Sequence, residues 1–505
     1  MTSHLFDHFT RAITDPAKVF IENFDGRTVT FAQMVERSGQ IAHALQKHGV
    51  ETGDRVAVQV DKSPEMILLY LACVRAGAIF LPLNTAYTPA EIEYFLGDAE
   101  PRVFVCEPAN REKLLPIAEK AGVRHVLTLG TANDGTLIEA SSPLSGRFTD
   151  VSRGPDDLAA ILYTSGTTGR SKGAMLSHEN LASNARTLVS YWRFTAKDVL
   201  IHALPIYHTH GLFVATNTML LAGGTMLFLP KLDGDAIIRL MPRATSMMGV
   251  PTFYTRLLGH SGLSREAAAH MRLFISGSAP LLAETHREWR ARTGHAILER
   301  YGMTETNMNT SNPYDGDRVA GTVGYPLPDV NLRIADPETG SPIPQGEIGM
   351  IEVKGPNVFK GYWRMPEKTA AEFRPDGFFI TGDMGKIDER GYVHIVGRNK
   401  DLVITGGFNV YPAEVESEID AVPGVVESAI IGVPHADFGE GVTAIVVPKA
   451  GVDVTEKSVI SAIEPRLAKF KLPKRVIFVK ELPRNTMGKV QKNLLRDQYR
   501  DLYKA

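Results

Sequence analysis

The chain has 505 residues, 44% of them apolar and 22% charged, and a formal net charge of −2. That length can bury more than one core, and the near-neutral balance lacks the basic field that nucleic-acid binding requires. Only Cys73 and Cys106 are present, without a Cys-x-x-Cys pair, so neither a disulfide framework nor a structural zinc site is expected. No apolar run reaches the roughly 20 residues that span a bilayer, and Met1-Thr-Ser-His lacks the basic-then-apolar pattern of a leader, so the expectation is a cytoplasmic protein.

Thr30-Phe-Ala-Gln33 has capping-box spacing, and Val35, Ile41, Ala42 and Leu45 follow at helical intervals up to His48-Gly49. Arg55-Val-Ala-Val-Gln-Val60 reads as a strand. Pro64 opens a second helix, 65–75, which Gly77 closes. Ile79-Phe-Leu-Pro-Leu83 is a short buried strand. Thr88-Pro89-Ala-Glu91 starts a helix, and Arg102-Val-Phe-Val-Cys106 is another strand. The alternation predicts mostly parallel sheets wrapped by helices, an α/β fold.

Leu158-Ala-Ala-Ile-Leu-Tyr163 reads as a buried strand. It runs into Thr164-Ser165-Gly166-Thr167-Thr168-Gly169-Arg170-Ser171-Lys172-Gly173. Glycines, hydroxyls and two cations with almost nothing to pack suit a polyphosphate. A plain flexible loop would explain any one glycine, but explains the whole composition less well. Because Gly173 follows Lys172, the stretch is not a Walker A loop. A helix at 178–191 and a strand at 199–204 lead to Pro205-Ile-Tyr-His208-Thr-His210-Gly211. This reads as a proline- and glycine-bounded turn lining a pocket, since no third ligand supports zinc. Pro251 starts a helix on which Arg256, judged by residue type alone, reads as exposed. The strand from Leu273 ends in Ser276-Gly-Ser278-Ala279-Pro280. The strand from Ile297 passes Glu299, Arg300, Tyr301, Gly302 and Met303 into Thr304-Glu305-Thr306. Ligands of parallel α/β sheets bind beyond the carboxyl ends of strands, so these loops could converge on one pocket. Glu305 is a candidate Mg²⁺ ligand.

The stretches 377–383 and 391–398 alternate like half-buried strands, and Arg398-Asn-Lys400-Asp suggests a boundary. The expected domains are 1–399 and 400–505. The smaller one holds the loop Gly406-Gly407-Phe408, a helix at 412–419, strands at 427–432 and 442–447, the basic cluster Lys469, Lys471 and Lys474, and the turn Asn485-Thr-Met-Gly-Lys489. On base rates the cluster is a solvated face. Lys489 could be exposed, or could be moved into a phosphate site with the small domain.

Taken together, Tyr163–Gly173, Tyr301–Thr306, Thr381–Asp383, Gly397–Glu416 and Asn485–Lys492 resemble, over nearly the whole chain, the acyl-adenylate-forming superfamily. That group comprises acyl- and aryl-CoA synthetases, adenylation domains and luciferases. The resemblance implies a large N-terminal domain of βαβ-built sheets with a distorted β-barrel part and a small mobile α+β C-terminal domain hinged at Lys400. The substrates it implies are ATP and coenzyme A, with Mg²⁺ as cofactor. It implies that Thr164 to Gly169 and Lys172 hold the ATP phosphates, that Thr304 touches phosphate, and that Glu305 with Thr168 binds Mg²⁺. Ser276 to Pro280, with Ser278 and Ala279, and Glu299 to Gly302 would form the adenine wall, Met303 would also meet ATP, and Asp383 and Arg398 would hold the ribose. Lys489 would meet the attacking carboxylate and α-phosphate, and His208 would lie beside the acyl pocket. Gly406, Gly407, Phe408 and Lys471 would meet coenzyme A.

Within that superfamily the chain looks most like the malonate-activating branch, on 208–212, 251–256, 276–279 and 303–310. An unreacted carboxylate buried unpaired would cost several kcal/mol. The expectation therefore reverses the surface reading of Arg256 and makes it a clamp for the distal carboxylate, with His210, Ser278 and Met308. Methylmalonate use is also expected. A short-chain or aromatic monocarboxylate synthetase with Arg256 on the surface, or a non-catalytic acyl-CoA or nucleotide sensor, is the alternative. Residues 484–489 also resemble a segment acetylated in such synthetases, which implies a lysine acetyltransferase and deacetylase as partners at Lys489.

Overall fold

The computed structural model describes residues 3–164, 171–406, 408–485 and 488–504. Two large sheets dominate the N-terminal part. The first has six strands in the spatial order His125–Thr128, Val103–Cys106, Arg55–Gln59, Ile79–Pro82, Leu158–Thr164 and Lys172–Ser177. All pairs are parallel except the last, which is antiparallel. The glycine-rich stretch thus joins two paired strands, and the second of them was not anticipated. The other sheet has nine strands. Its parallel centre runs Leu298–Met303, Leu273–Ser276, Ser246–Gly249, Val199–His202, Thr225–Phe228 and Val19–Asn23.

Local chemistry explains the helices that wrap them. Thr30 and Gln33 close a reciprocal capping box on Phe31–Lys47. Ser63 caps Pro64–Ala76, and Gly77 ends that helix at φ +71°, a conformation that costs glycine nothing. All thirteen residues of Pro64–Ala76 are buried. Its two charged side chains are therefore paired, Glu65 with Arg37 at 2.9 Å and Arg75 with Asp150 at 2.6 Å. Cys73 and Cys106 are both buried thiols, in two separate apolar clusters. Burial pushes both upward, Cys106 to about 11.

Asn331–Ala335, Gly349–Lys354, Phe379–Ile387 and Val393–Arg398 form a four-stranded antiparallel sheet. It is open, and no closed barrel is found among the described residues where a distorted one was expected. Four strands are too few to wrap around a packed interior. A single turn, Asn399–Asp401, leads from it to the small C-terminal domain. There Phe408–Val410, Val403–Thr405, Gly439–Pro448, Val425–His435 and Arg475–Phe478 form one sheet over its own core. Among the described residues no helix is long and apolar enough to cross a membrane.

Candidate active site

In the nine-stranded sheet, four neighbouring parallel strands end on one edge: Val199–His202, Ser246–Gly249, Leu273–Ser276 and Leu298–Met303. Their continuations carry His208 and His210, the helix Pro251–Leu258, Ser278, and the turn Thr304-Glu305-Thr306. This is the convergence that the strand-end rule predicts. The histidine segment is not a simple turn. His210–Thr216 is π-helical and runs straight into the helix Asn217–Ala222. Such wide turns are rare and concentrate at functional sites.

Arg256 lies on the helix Pro251–Leu258, one turn after Thr252. Its helix buries Tyr254, Leu257 and Leu258, and Arg256 is exposed. At 3.6 residues per turn it points roughly 150° away from the middle of that buried face. The buried cation is Arg300, on the strand Leu298–Met303. It is 3% exposed, and its Nε and Nη2 have no hydrogen-bond partner. A Cβ on Gly277 would lie 2.5 Å from its Cζ, so glycine is what gives the guanidinium room. Burial pushes Arg300 down to about 9. His210 is 1% exposed; its Nδ1 lies 3.2 Å from Ser278 Oγ and its Nε2 has no partner. Burial, then Arg300, holds His210 well below the usual imidazole range. His208 is lowered to about 3 by burial, Lys489 and Arg300, and its Nδ1 accepts from the His210 N–H at 3.3 Å. Met308 pairs across from Gly302 and is buried. The result is a cationic end to a pocket of neutral imidazoles, with donor capacity unfilled.

On the other side of the strand Leu298–Met303, Tyr301 donates from its hydroxyl to Asp383 Oδ2 at 2.5 Å. Arg398 Nε lies 2.8 Å from Asp383 Oδ1, in cross-strand register with it. Thr381 Oγ1 accepts from the Asp383 N–H at 3.1 Å. Glu299 is buried, accepts from the Gly321 N–H at 3.3 Å, and is pushed up to about 8 by burial. Gly302, Met303, Thr304, Ser278 and Ala279 are half-buried, and Pro280 is exposed. Glu305 is buried, which raises its pKa, and Tyr362 Oη lies 3.0 Å from its Oε1. Glu372 Oε2 lies 2.6 Å from the same phenol oxygen. Carboxylate oxygens are the donors a hard cation takes, so Glu305 fits Mg²⁺. Thr164 and Lys172 frame the glycine-rich stretch. Ser165, Gly166, Thr167, Thr168 and Gly169 lie outside the described residues, as does Gly407.

From the C-terminal domain, Lys489 enters this cleft. The residue keeps exposed surface, while desolvation at its ammonium lowers its pKa. Arg398 and Arg300 act in the same direction, while Asp383 and Glu305 oppose them. The turn that presents it is closed by the Gly488 and Lys489 N–H groups, which donate to Asn485 O and Oδ1. A Cβ on Gly488 would lie 3.6 Å from Thr252. The turn therefore seats on the start of the helix Pro251–Leu258.

Residues 9–363 match the family model described as AMP-binding enzyme, and residues 414–489 match that of the AMP-binding enzyme C-terminal domain. The chain belongs to the AMP-binding enzyme family. It is 34% identical to a malonate–CoA ligase of Arabidopsis thaliana over 94% of this chain and 85% of the relative. It is 66% identical to ATP-bound MatB from Rhodopseudomonas palustris, each chain fully covered, with a TM-score of 0.98. Apo MatB from the same organism, also at 66% identity and full coverage, gives 0.87. The AMP-binding enzyme described here is thus arranged more like the ATP-bound form, in agreement with Lys489 in the cleft.

Of the residues expected to meet coenzyme A, the described ones Gly406, Phe408 and Lys471 make contacts within the C-terminal domain. Gly406, at φ +58°, donates to Phe438 O at 2.8 Å. Phe408 is 55% exposed and stacks on Phe470, and Lys471 pairs with Glu414 at 2.5 Å. Lys400 is exposed in the connecting turn. Sequence reasoning missed Tyr362 and Glu372. The run Gly361-Tyr362-Trp363 was the available signal, but its meaning depends on which strand it pairs with.

Proposed function

We propose that this chain is a malonyl-CoA synthetase. It ligates malonate to coenzyme A in two steps through malonyl-AMP, consuming ATP and releasing AMP and pyrophosphate. Its family membership and its likeness to a malonate–CoA ligase support this reading. The observation that carries it is Arg300. A buried guanidinium with two unfilled nitrogens is costly, and a carboxylate can fill both with parallel hydrogen bonds. Malonate brings such a carboxylate in addition to the one that reacts. Arg300, His210 and Ser278 would hold the distal carboxylate, with Met308 beside them. Arg300 is thus proposed for the role expected of Arg256.

The reacting carboxylate oxygen then attacks the α-phosphorus, and pyrophosphate leaves. Two anions must meet, and Lys489 supplies positive charge where negative charge builds. Asp383 and Arg398 would fix the ribose, and the 164–172 segment the phosphates. Thr304 would touch phosphate, and Glu305 and Thr168 would hold Mg²⁺, whose charge offsets the triphosphate when bound. In the second step the coenzyme thiolate attacks the acyl carbon and AMP leaves. Rotation of residues 400–505 about Lys400 would withdraw Lys489 and bring Gly406, Gly407, Phe408 and Lys471 toward the pantetheine. His208 stays neutral at physiological pH and shapes the pocket.

One extra methyl is discriminated by only about 1–3 kcal/mol, so methylmalonate is accepted as a secondary substrate. CoA-dependent AMP formation with malonate, methylmalonate, succinate and butyrate tests the assignment. Malonate leads by at least about tenfold in kcat/KM over butyrate, and equal rates would overturn it. The solvent-reachable Lys489 is also proposed as an acceptor for a lysine acetyltransferase in the cytoplasm, since acetylation removes the charge the first step needs. Lys489→Gln loses pyrophosphate release by about a hundredfold or more; full activity would exclude this control.

A further inference from the structure

The short segment 359–363 joins the two halves of the nucleotide site. The Phe359 N–H donates to Glu305 O at 2.8 Å. Lys360 and Trp363 donate to Met175 O and Gly173 O at 2.8 and 2.7 Å, and Met175 donates to Gly361 O at 2.9 Å. One side of the segment therefore grips the Glu305 turn and the other grips the strand that begins at Lys172. Between them Tyr362, 2% exposed, places its hydroxyl 2.6 Å from Glu372 Oε2 and 3.0 Å from Glu305 Oε1. Lys172 Nζ lies 3.2 Å from Glu372 Oε1 and 4.0 Å from the centroid of the Tyr362 ring. Both charged side chains of that pair are 19% exposed. Lys368, one helical turn before Glu372, also reaches Glu372 Oε1, at 2.8 Å.

This arrangement has a consequence for Lys172. A phenol has one proton and sits between two carboxylates, so the second carboxylate needs positive charge nearby. Lys172 supplies it by leaning on the Tyr362 ring and on Glu372. A triphosphate arriving at the 164–172 segment would compete for the same ammonium. Lys368 would remain as a second cation on Glu372, so Glu372 can release Lys172 without being left unpaired.

We propose that Glu372, fixed by Tyr362, is a stand-by partner that holds Lys172 until a nucleoside triphosphate displaces it, and so sets the affinity of the site for ATP. This rests on the adenylation reading above. Tyr362 and Glu372 are positioning residues; neither is assigned contact with the reacting atoms.

The test is titration calorimetry of Mg·ATP, with no acid present, into the parent enzyme, Glu372→Gln, Lys172→Gln and the double variant. Glu372→Gln tightens ATP binding about fivefold, the size expected when a largely enclosed ion pair no longer competes. The gain disappears in the double variant, which binds as Lys172→Gln does. Tyr362→Phe, which keeps both charges but frees Glu372, gives a smaller gain of the same sign. A merely structural role would weaken binding instead. Unchanged or weaker binding by Glu372→Gln, or a gain that survives without Lys172, overturns the proposal. Failure of the adenylation reading would look different, because the parent enzyme itself would not bind ATP.

Discussion

Arg256 and Arg300 are the same residue type, and each lies within two positions of a leucine in the sequence. What separates them is the direction of the side chain. On the helix Pro251–Leu258 the inward positions are taken by Tyr254, Leu257 and Leu258, which leaves Arg256 facing water. On the strand Leu298–Met303 the alternation sends Tyr301 toward Asp383, and Arg300 against Gly277 on the opposite face. Breaking a buried ion pair from one side costs about 3–5 kcal/mol. Arg300→Met therefore lowers kcat/KM for malonate by roughly a hundredfold or more and leaves butyrate unchanged or improved. Arg256→Met stays within about twofold of the parent, as exposed substitutions usually do. CoA-dependent AMP formation with the two acids reads both outcomes, and a malonate-specific loss at Arg256 alone would restore the helix arginine to the clamp. The sequence alone argues for a cation opposite a second carboxylate and points to His210 and Ser278 beside it. That Arg300 is the buried one of the two arginines is not marked there, because burial is decided by packing between elements.

At the scale of elements, the turn between Leu298–Met303 and Asn307–Ser311 shows how little slack the site has. A Cβ on Gly302 would come within 1.9 Å of Asn307 O and 2.4 Å of Met308 Cε. The two strands pair directly there, so neither backbone can retreat without breaking the ladder. Gly302→Ala consequently loses pyrophosphate release by more than about tenfold, with a lower unfolding midpoint, since overpacking costs about 1–3 kcal/mol. A fully active, equally stable variant would mean that the turn can shift. Elements with local signals were readable in advance: the Thr30–Gln33 box, the Gly77 stop and the strand before Thr164. The π-helical His210–Thr216 and the link at 359–363 were not, because neither is marked by periodicity. The link exists only through pairing with residues about 55 and 185 positions earlier, which no local pattern encodes.

At the scale of the whole molecule, the small domain is tethered through one short turn and contributes one lysine to a site built by the large domain. If residues 400–505 must turn about Lys400 between the two half-reactions, stiffening that turn separates them. Lys400→Pro fixes a backbone angle there and removes an N–H. It keeps malonate-dependent pyrophosphate release and loses CoA-dependent release of AMP from malonyl-AMP by about a hundredfold or more. Parallel loss or parallel retention of both half-reactions would place the pivot elsewhere. The two sulfhydryls deep in the large domain bear on the fate of the intermediate. An acyl-adenylate is an anhydride that acylates any thiolate it meets, yet Cys73 and Cys106 are enclosed in packed core and held in their unreactive protonated form. The enzyme therefore has no accessible sulfur nucleophile of its own with which to trap its product, and acylation of its own thiols cannot drain the activated acid before the coenzyme arrives.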